Sequence, residues 1–169
     1  GASYAQASRN IEDGISYAQM GESVLLEVAN LAQRLRELAI TADNADLLDA
    51  NQEAALDAEA ALIGDTVDNI LDTTDFNTVE VVDSASATQK AIAYGSLTAN
   101  TTNVGPNVSV TAVNGVTAAA GAESNADTLL AEVAKGLGNI AADLTALKAF
   151  QGAASATGAN MAAAGARLI

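Results

Sequence analysis

A chain of 169 residues with 50% apolar content has enough material for one packed domain, but only 3% of it is aromatic, and Trp, Cys and His are all absent. Without Cys and His there is no disulfide, no thiolate nucleophile, no common transition-metal ligand and no imidazole base, so neither catalytic residues nor a metal site or cofactor is expected. The net charge of −14 would repel phosphate backbones and anionic lipid surfaces, which argues against nucleic-acid partners and peripheral membrane binding, and Asp143, Lys148, Gln151 and Arg167 interrupt the Ala- and Gly-rich last segment, so membrane insertion is not expected either.

The first predicted element is a helix from about residue 3 to residue 42. Tyr17, Val24, Leu31 and Leu38 recur every seventh residue, as do Ala18, Leu25, Ala32 and Ala39, and Gly21, Val28, Leu35 and Ala42. A strict seven-residue repeat of this kind marks long helices packed side by side with slight supercoiling. Gly14 is a weak point in that pattern. A second helix is expected over 46–71, where Leu56, Ala60, Ile63, Val67 and Ile70 form a stripe opposite many carboxylates. Between Asp43 and Asp83 there is no Lys or Arg, and this acidic run reads as a solvated face.

From residue 73 the composition shifts to β-branched and small residues with turn formers between them. Short strands are expected near 79–82, 89–94 and 108–113. Asn100-Thr101-Thr102 and Asn107-Val108-Ser109 match the N-glycosylation acceptor pattern, a weak signal on its own. A third helix is predicted from Ser124, as N-cap, to Leu168, with Leu130, Val133, Leu137, Ile140, Leu144 and Leu147 as its inner face and the heptad line continuing through Ala154, Met161 and Leu168. Gly136, Gly138, Gly152, Gly158 and Gly165 weaken it as an isolated helix and suit close backbone approach in a bundle.

The expected fold is therefore mainly α with a small β element: an elongated antiparallel bundle of long helices with a short β-hairpin region at one end. Residues 1–72 and 123–169 would form a helical rod, and 73–122 a small inserted region. The chain opens at Gly1 without Met and its helical patterns run to both ends, as expected for the middle piece of a longer protein.

Several motifs make the first half more specific. Ala7-Ser8-Arg9-Asn10, Asp13-Gly14-Ile15-Ser16 and Gln33-Arg34-Leu35-Arg36-Glu37-Leu38-Ala39 stand in the order and spacing found near the start of the flagellin rod domain. The chain thus resembles bacterial flagellins over about 7–82. Asp75-Phe76-Asn77-Thr78-Val79 is similar to the family's entry to a β-hairpin, with Thr78 in place of glycine.

The resemblance implies a D1-like rod and a structural subunit of the flagellar filament, secreted, self-assembling for motility, and not an enzyme. It implies other flagellin subunits as partners, with the export apparatus, chaperone and cap acting through missing termini or during assembly, and a host Toll-like receptor as a further partner. The implied subunit-contact or receptor-recognition residues are Arg9, Gln33, Arg34, Arg36, Glu37 and Leu38. Two alternatives stay open: a flagellin-like cell-surface protein that binds glycans or a host receptor, and a hook-filament junction protein.

Overall fold

The computed structural model describes residues 2–76, 79–83, 89–95, 100–111, 113 and 115–168. Three helices dominate: α1 (Ala2–Ala42), α2 (Ala50–Thr73) and α3 (Glu123–Leu168). Between α2 and α3 lie two antiparallel two-stranded ladders, β1 (Asp75–Phe76) with β2 (Val79–Glu80), and β3 (Lys90–Ala93) with β4 (Thr101–Val104). The expected mainly helical architecture with a small β element is what the chain adopts.

Helix α1 is the spine, about 60 Å long at 1.5 Å per residue. Its heptad lines are buried as the sequence predicts: Tyr17, Ala18, Leu25, Val28, Ala32, Leu35 and Ala39 are at most 1% exposed, and Leu31 is half-buried. Helix α3 runs antiparallel along it. Arg36 faces Asp127, and further down the spine Gly21 lies against Ile140. Ala126, Leu129, Val133, Ile140 and Leu147 supply the α3 side of the core. Past Leu147 that side thins out. Ala154 is partly buried, residues 158–166 are all exposed, and Met161 of the expected heptad line is 51% exposed. Of the five glycines expected to permit close approach in α3, only Gly136 meets a neighbour among the described residues, Leu25 and Val108 among others. Gly138, Gly152, Gly158 and Gly165 face open space.

Helix α2 covers the other flank of the spine near residue 34. It starts at Ala50, later than predicted, because Asp49 accepts the Gln52 amide while the Gln52 side chain accepts from the Asp49 amide. This reciprocal cap satisfies two amide groups that an unassisted helix start leaves bare. Residues 45–47 form only a single 3-10 turn before it. Likewise α3 begins at Glu123, so Ser124 lies within the helix rather than capping it.

The predicted weak point at Gly14 has a packing role. A Cβ there would lie 3.1 Å from Ile92, so the missing side chain lets the β3–β4 hairpin sit on the spine. Tyr94, just past β3, stacks on Phe150 of α3 with centroids 4.0 Å apart, tying the hairpin to the third helix. The tight turn expected at Asn77 and Thr78 lies outside the described residues.

The described residues of the strand expected at 108–113 form none, and β4 at 101–104 is instead the partner of β3. The described residues between 105 and 122 run as a strap between α2 and α3, with Val108, Val110, Val113 and Ala119 buried. Its backbone bonds go mostly to carboxylates. Asp57 and Asp68 of α2 accept from Ala119 and Val113 at 2.9 and 3.0 Å. Glu132 and Asp143 of α3 accept from Thr111 and Gly105 at 2.7 and 2.9 Å. Glu132 also takes the Thr111 hydroxyl. Part of the acidic run is therefore a set of clips and not only a solvated face, because a buried N–H without a strand partner needs some acceptor, and an ionised one is the stronger kind.

Two predictions follow from this packing. An added Cβ at Gly64 would lie 2.3 Å from the Val113 carbonyl oxygen, which is backbone and cannot swing away. Gly64→Ala is therefore expected to lose about 1–3 kcal/mol in urea unfolding, despite a helix-propensity gain of about 1 kcal/mol. Gly138→Ala, which meets nothing, is expected to gain up to about 1 kcal/mol. Equal effects at the two sites would contradict the strap placement. The second prediction concerns Asp143, whose carboxyl is held above the ordinary range by burial, partly offset by the Gly105 amide. A raised folded-state value means the contribution is complete below the ordinary carboxyl range and lost as pH rises through the raised value. Asp143→Asn removes this titration, so its stability relative to wild type is expected to rise from acid to neutral pH in parallel urea melts. A difference independent of pH would contradict it.

Candidate functional site: the outer strip of the first helix

Because the core stripe of α1 occupies one side of a 3.6-residue helix, positions 26, 33 and 37 fall on the opposite side and face outward. Gln33, Arg34, Arg36 and Glu37 are all exposed there, and Leu26 and Ile40 join them at 49% and 44% exposure. The sequence reading missed these two apolar residues. Their signal was available in the spacing, since Leu26, Gln33 and Ile40 stand seven apart and off the buried lines. Leu38, expected among the contact residues, is only 2% exposed and belongs to the core, so its side chain is not available on the outer strip.

The two arginines reach in different directions. Arg34 holds Glu59 of α2 through two parallel bonds, Nε to Oε1 at 2.7 Å and Nη2 to Oε2 at 3.0 Å, and also touches Glu37 at 3.2 Å. The fork of the guanidinium matches a carboxylate, which is why this pair is bidentate. Hydrogen bonding from Arg34 pulls the Glu59 carboxyl below its ordinary value, and the bonds to Glu59 and then Glu37 push Arg34 up. Arg36 reaches the start of α3, with Nε 3.1 Å from Asp127 and Nη2 3.6 Å from Glu123. The two clamps thus join the spine to both flanking helices. Glu59 and Asp127 had no local signal in the sequence, being 25 and 91 positions from their arginines. Arg9 stands far down the same helix and, among the described residues, bonds Gln6 one turn away, at 3.0 Å.

These groups can bind surfaces; they do not assemble into reactive chemistry. Among the described residues no three His, Cys, Asp or Glu side chains converge on a point where a metal could sit, and no helix is long and apolar enough to cross a membrane. A depression of about 270 Å³ at the end of the strap is lined by Val113, Val116, Thr117, Asn125 and small residues, with no titratable side chain.

The comparisons with known proteins agree with this geometry. The family described as "Bacterial flagellin N-terminal helical region" matches residues 2–88, which takes in α1, α2 and the first ladder. Flagellin of Halalkalibacterium halodurans is 44% identical over 78 residues, covering 46% of this chain and 28% of that protein. B-type flagellin of Pseudomonas aeruginosa is 39% identical over 82 residues, covering 48% and 17%. The chain thus spans less than a third of the length of these relatives. The crystal structure of Bacillus cereus flagellin matches 93% of this chain and 94% of its own with a TM-score of 0.57 at 20% identity, a likeness of fold that extends through α3. With more than half of its residues inside the family's helical region and the same fold carried through the rest, the chain belongs to the bacterial flagellin family.

Proposed function

We propose that this chain is the shaft of a structural subunit of the flagellar filament, working outside the cell in motility. The observation that carries this reading is the division of labour on α1 in a member of the flagellin family. Its apolar face is consumed inside the chain, while a polar strip bearing Leu26 and Ile40 stays outward along a helix of about 60 Å. On this reading residues 1–72 and 123–169 act as the rod, and 73–122 as an inserted region whose second half returns along the rod as the strap. Copies of the chain are the main partners. Arg9, Gln33, Arg34, Arg36 and Glu37 are the outward groups we assign to subunit contact, and Gln33, Arg34 and Glu37 form the surface a host Toll-like receptor would meet. Export apparatus, chaperone and cap belong to the same reading as partners in delivery and assembly.

The direct test is composition of the filament itself. Filaments sheared from the producing bacterium are expected to yield peptides of this chain as a major component, and deletion of its gene to shorten or remove them. Filaments free of these peptides would overturn the reading. A narrower test separates surface from core. Arg34→Ala is expected to leave the melting temperature nearly unchanged, since exposed ion pairs contribute little, and to lower filament yield. Leu35→Ala, at a position with no exposure, is expected to cost about 2–5 kcal/mol. Equal losses of stability in the two variants would contradict the outward role of Arg34.

A further inference from the structure

We propose that Asn107 is an acceptor for an N-linked sugar, transferred from a sugar-diphosphate donor by a separate transferase. The sequence contains two Asn-x-Ser/Thr triplets in this region, and the structure treats them differently. Asn100 lies on Gly95, and its carbonyl accepts the Tyr94 amide at 2.9 Å. Thr101 and Thr102 are paired in β4 with Ala93 and Ile92, so that triplet is committed to the hairpin. Asn107 is exposed instead, with a left-handed φ of 49°. Among the described residues neither its carboxamide nor the exposed Ser109 hydroxyl makes a hydrogen bond. Such groups are free to be read by another protein.

The flanks hold this acceptor outward. Gly105 is bonded to Asp143, the Pro106 carbonyl accepts from Asn139 at 2.7 Å, and Val108 is 8% exposed, turned toward Gly136 of α3. A sugar on Asn107 would project into solvent without displacing any core contact, the surface placement this modification needs. In the transfer, the Asn107 amide nitrogen forms a bond to the anomeric carbon and the bond from that carbon to the diphosphate oxygen breaks. The diphosphate carrier leaves with the electron pair, and one amide proton passes to a base of the transferase. The Ser109 hydroxyl, two residues on, is the recognition group.

The test is peptide mapping by mass spectrometry of the protein isolated from its own producer, as wild type and as variants expressed there. The peptide containing Asn107 is expected to carry a sugar mass in wild type. The added mass should vanish in Asn107→Gly and Ser109→Ala, and persist in Ser109→Thr and Asn100→Gln. Asn107→Gly keeps the left-handed backbone accessible, and circular dichroism of each variant separates loss of the acceptor from loss of the fold. An unmodified Asn107 in the native protein, or sugar confined to Ser and Thr hydroxyls, would overturn the proposal. Two arms identify the donor: soluble extract supplied with UDP-glucose, and washed membranes carrying their own lipid-linked sugars. Transfer to Asn107 in either arm supports the proposal, and transfer in neither overturns it. The outcome is independent of whether the chain forms filaments.

Discussion

Everything in this fold depends on the apolar face of α1 being shared along its length by α3 on one flank, α2 on the other and the β3–β4 hairpin lower down. No flanking element is self-sufficient. Helix α3 carries five glycines at positions where each costs about 1 kcal/mol of helix stability, and α2 carries carboxylates one turn apart, such as Asp65 with Asp68 and Asp72, that repel. Isolated helices of this kind are marginal in water. Burial of Leu25, Val28, Leu35, Ile140 and Leu147 in one continuous core supplies what local propensity lacks.

The low aromatic content makes sense within that constraint. A core of Ala, Val, Leu and Ile lets long rods approach closely, with Gly21 and Gly136 where α1 and α3 meet, and Gly14 and Gly64 where the hairpin and the strap sit on the helices. The strap then solves a separate problem. A segment that returns between two helices brings backbone amides into the interior without a neighbouring strand, and here Asp57, Asp68, Glu132 and Asp143 receive them. The strong negative charge is thus partly a consequence of how the chain closes on itself. The positive charge is likewise partly consumed within the fold, since Arg34 and Arg36 clamp α2 and α3. Among the described residues Arg9 has no carboxylate within ion-pair distance, which marks it as a group available to a neighbour.

Much of this was legible from residue order, and the reason is periodicity. Heptads in the first helix named its buried face almost residue for residue, and the stepping of Val133, Ile140 and Leu147 named that of α3. The strap was not legible, because Val108 and Val110 alternate like a strand, while the amides of Thr111 and Val113 go to side chains of distant helices and that of Val110 to the Asp83 carbonyl. Leu38 was given two places: its heptad phase puts it in the core, where it lies, while its position inside a recognised polar motif had it counted as a contact residue. The long-range clamps to Glu59 and Asp127 carry no local pattern at all. Sequence reading therefore succeeds here where a contact repeats along a helix and fails where it is made once between distant segments.

Native-state hydrogen exchange tests the central claim most directly. If α1 is a spine stabilised by its flanks, amides of residues 18–39 and 126–147 should exchange only through global unfolding, with matching opening free energies, and those of 158–166 should exchange far faster. The strap amides of Thr111, Val113 and Ala119 should be protected despite having no strand partner. Unprotected strap amides, or residues 126–147 opening while 18–39 stay closed, would contradict the account.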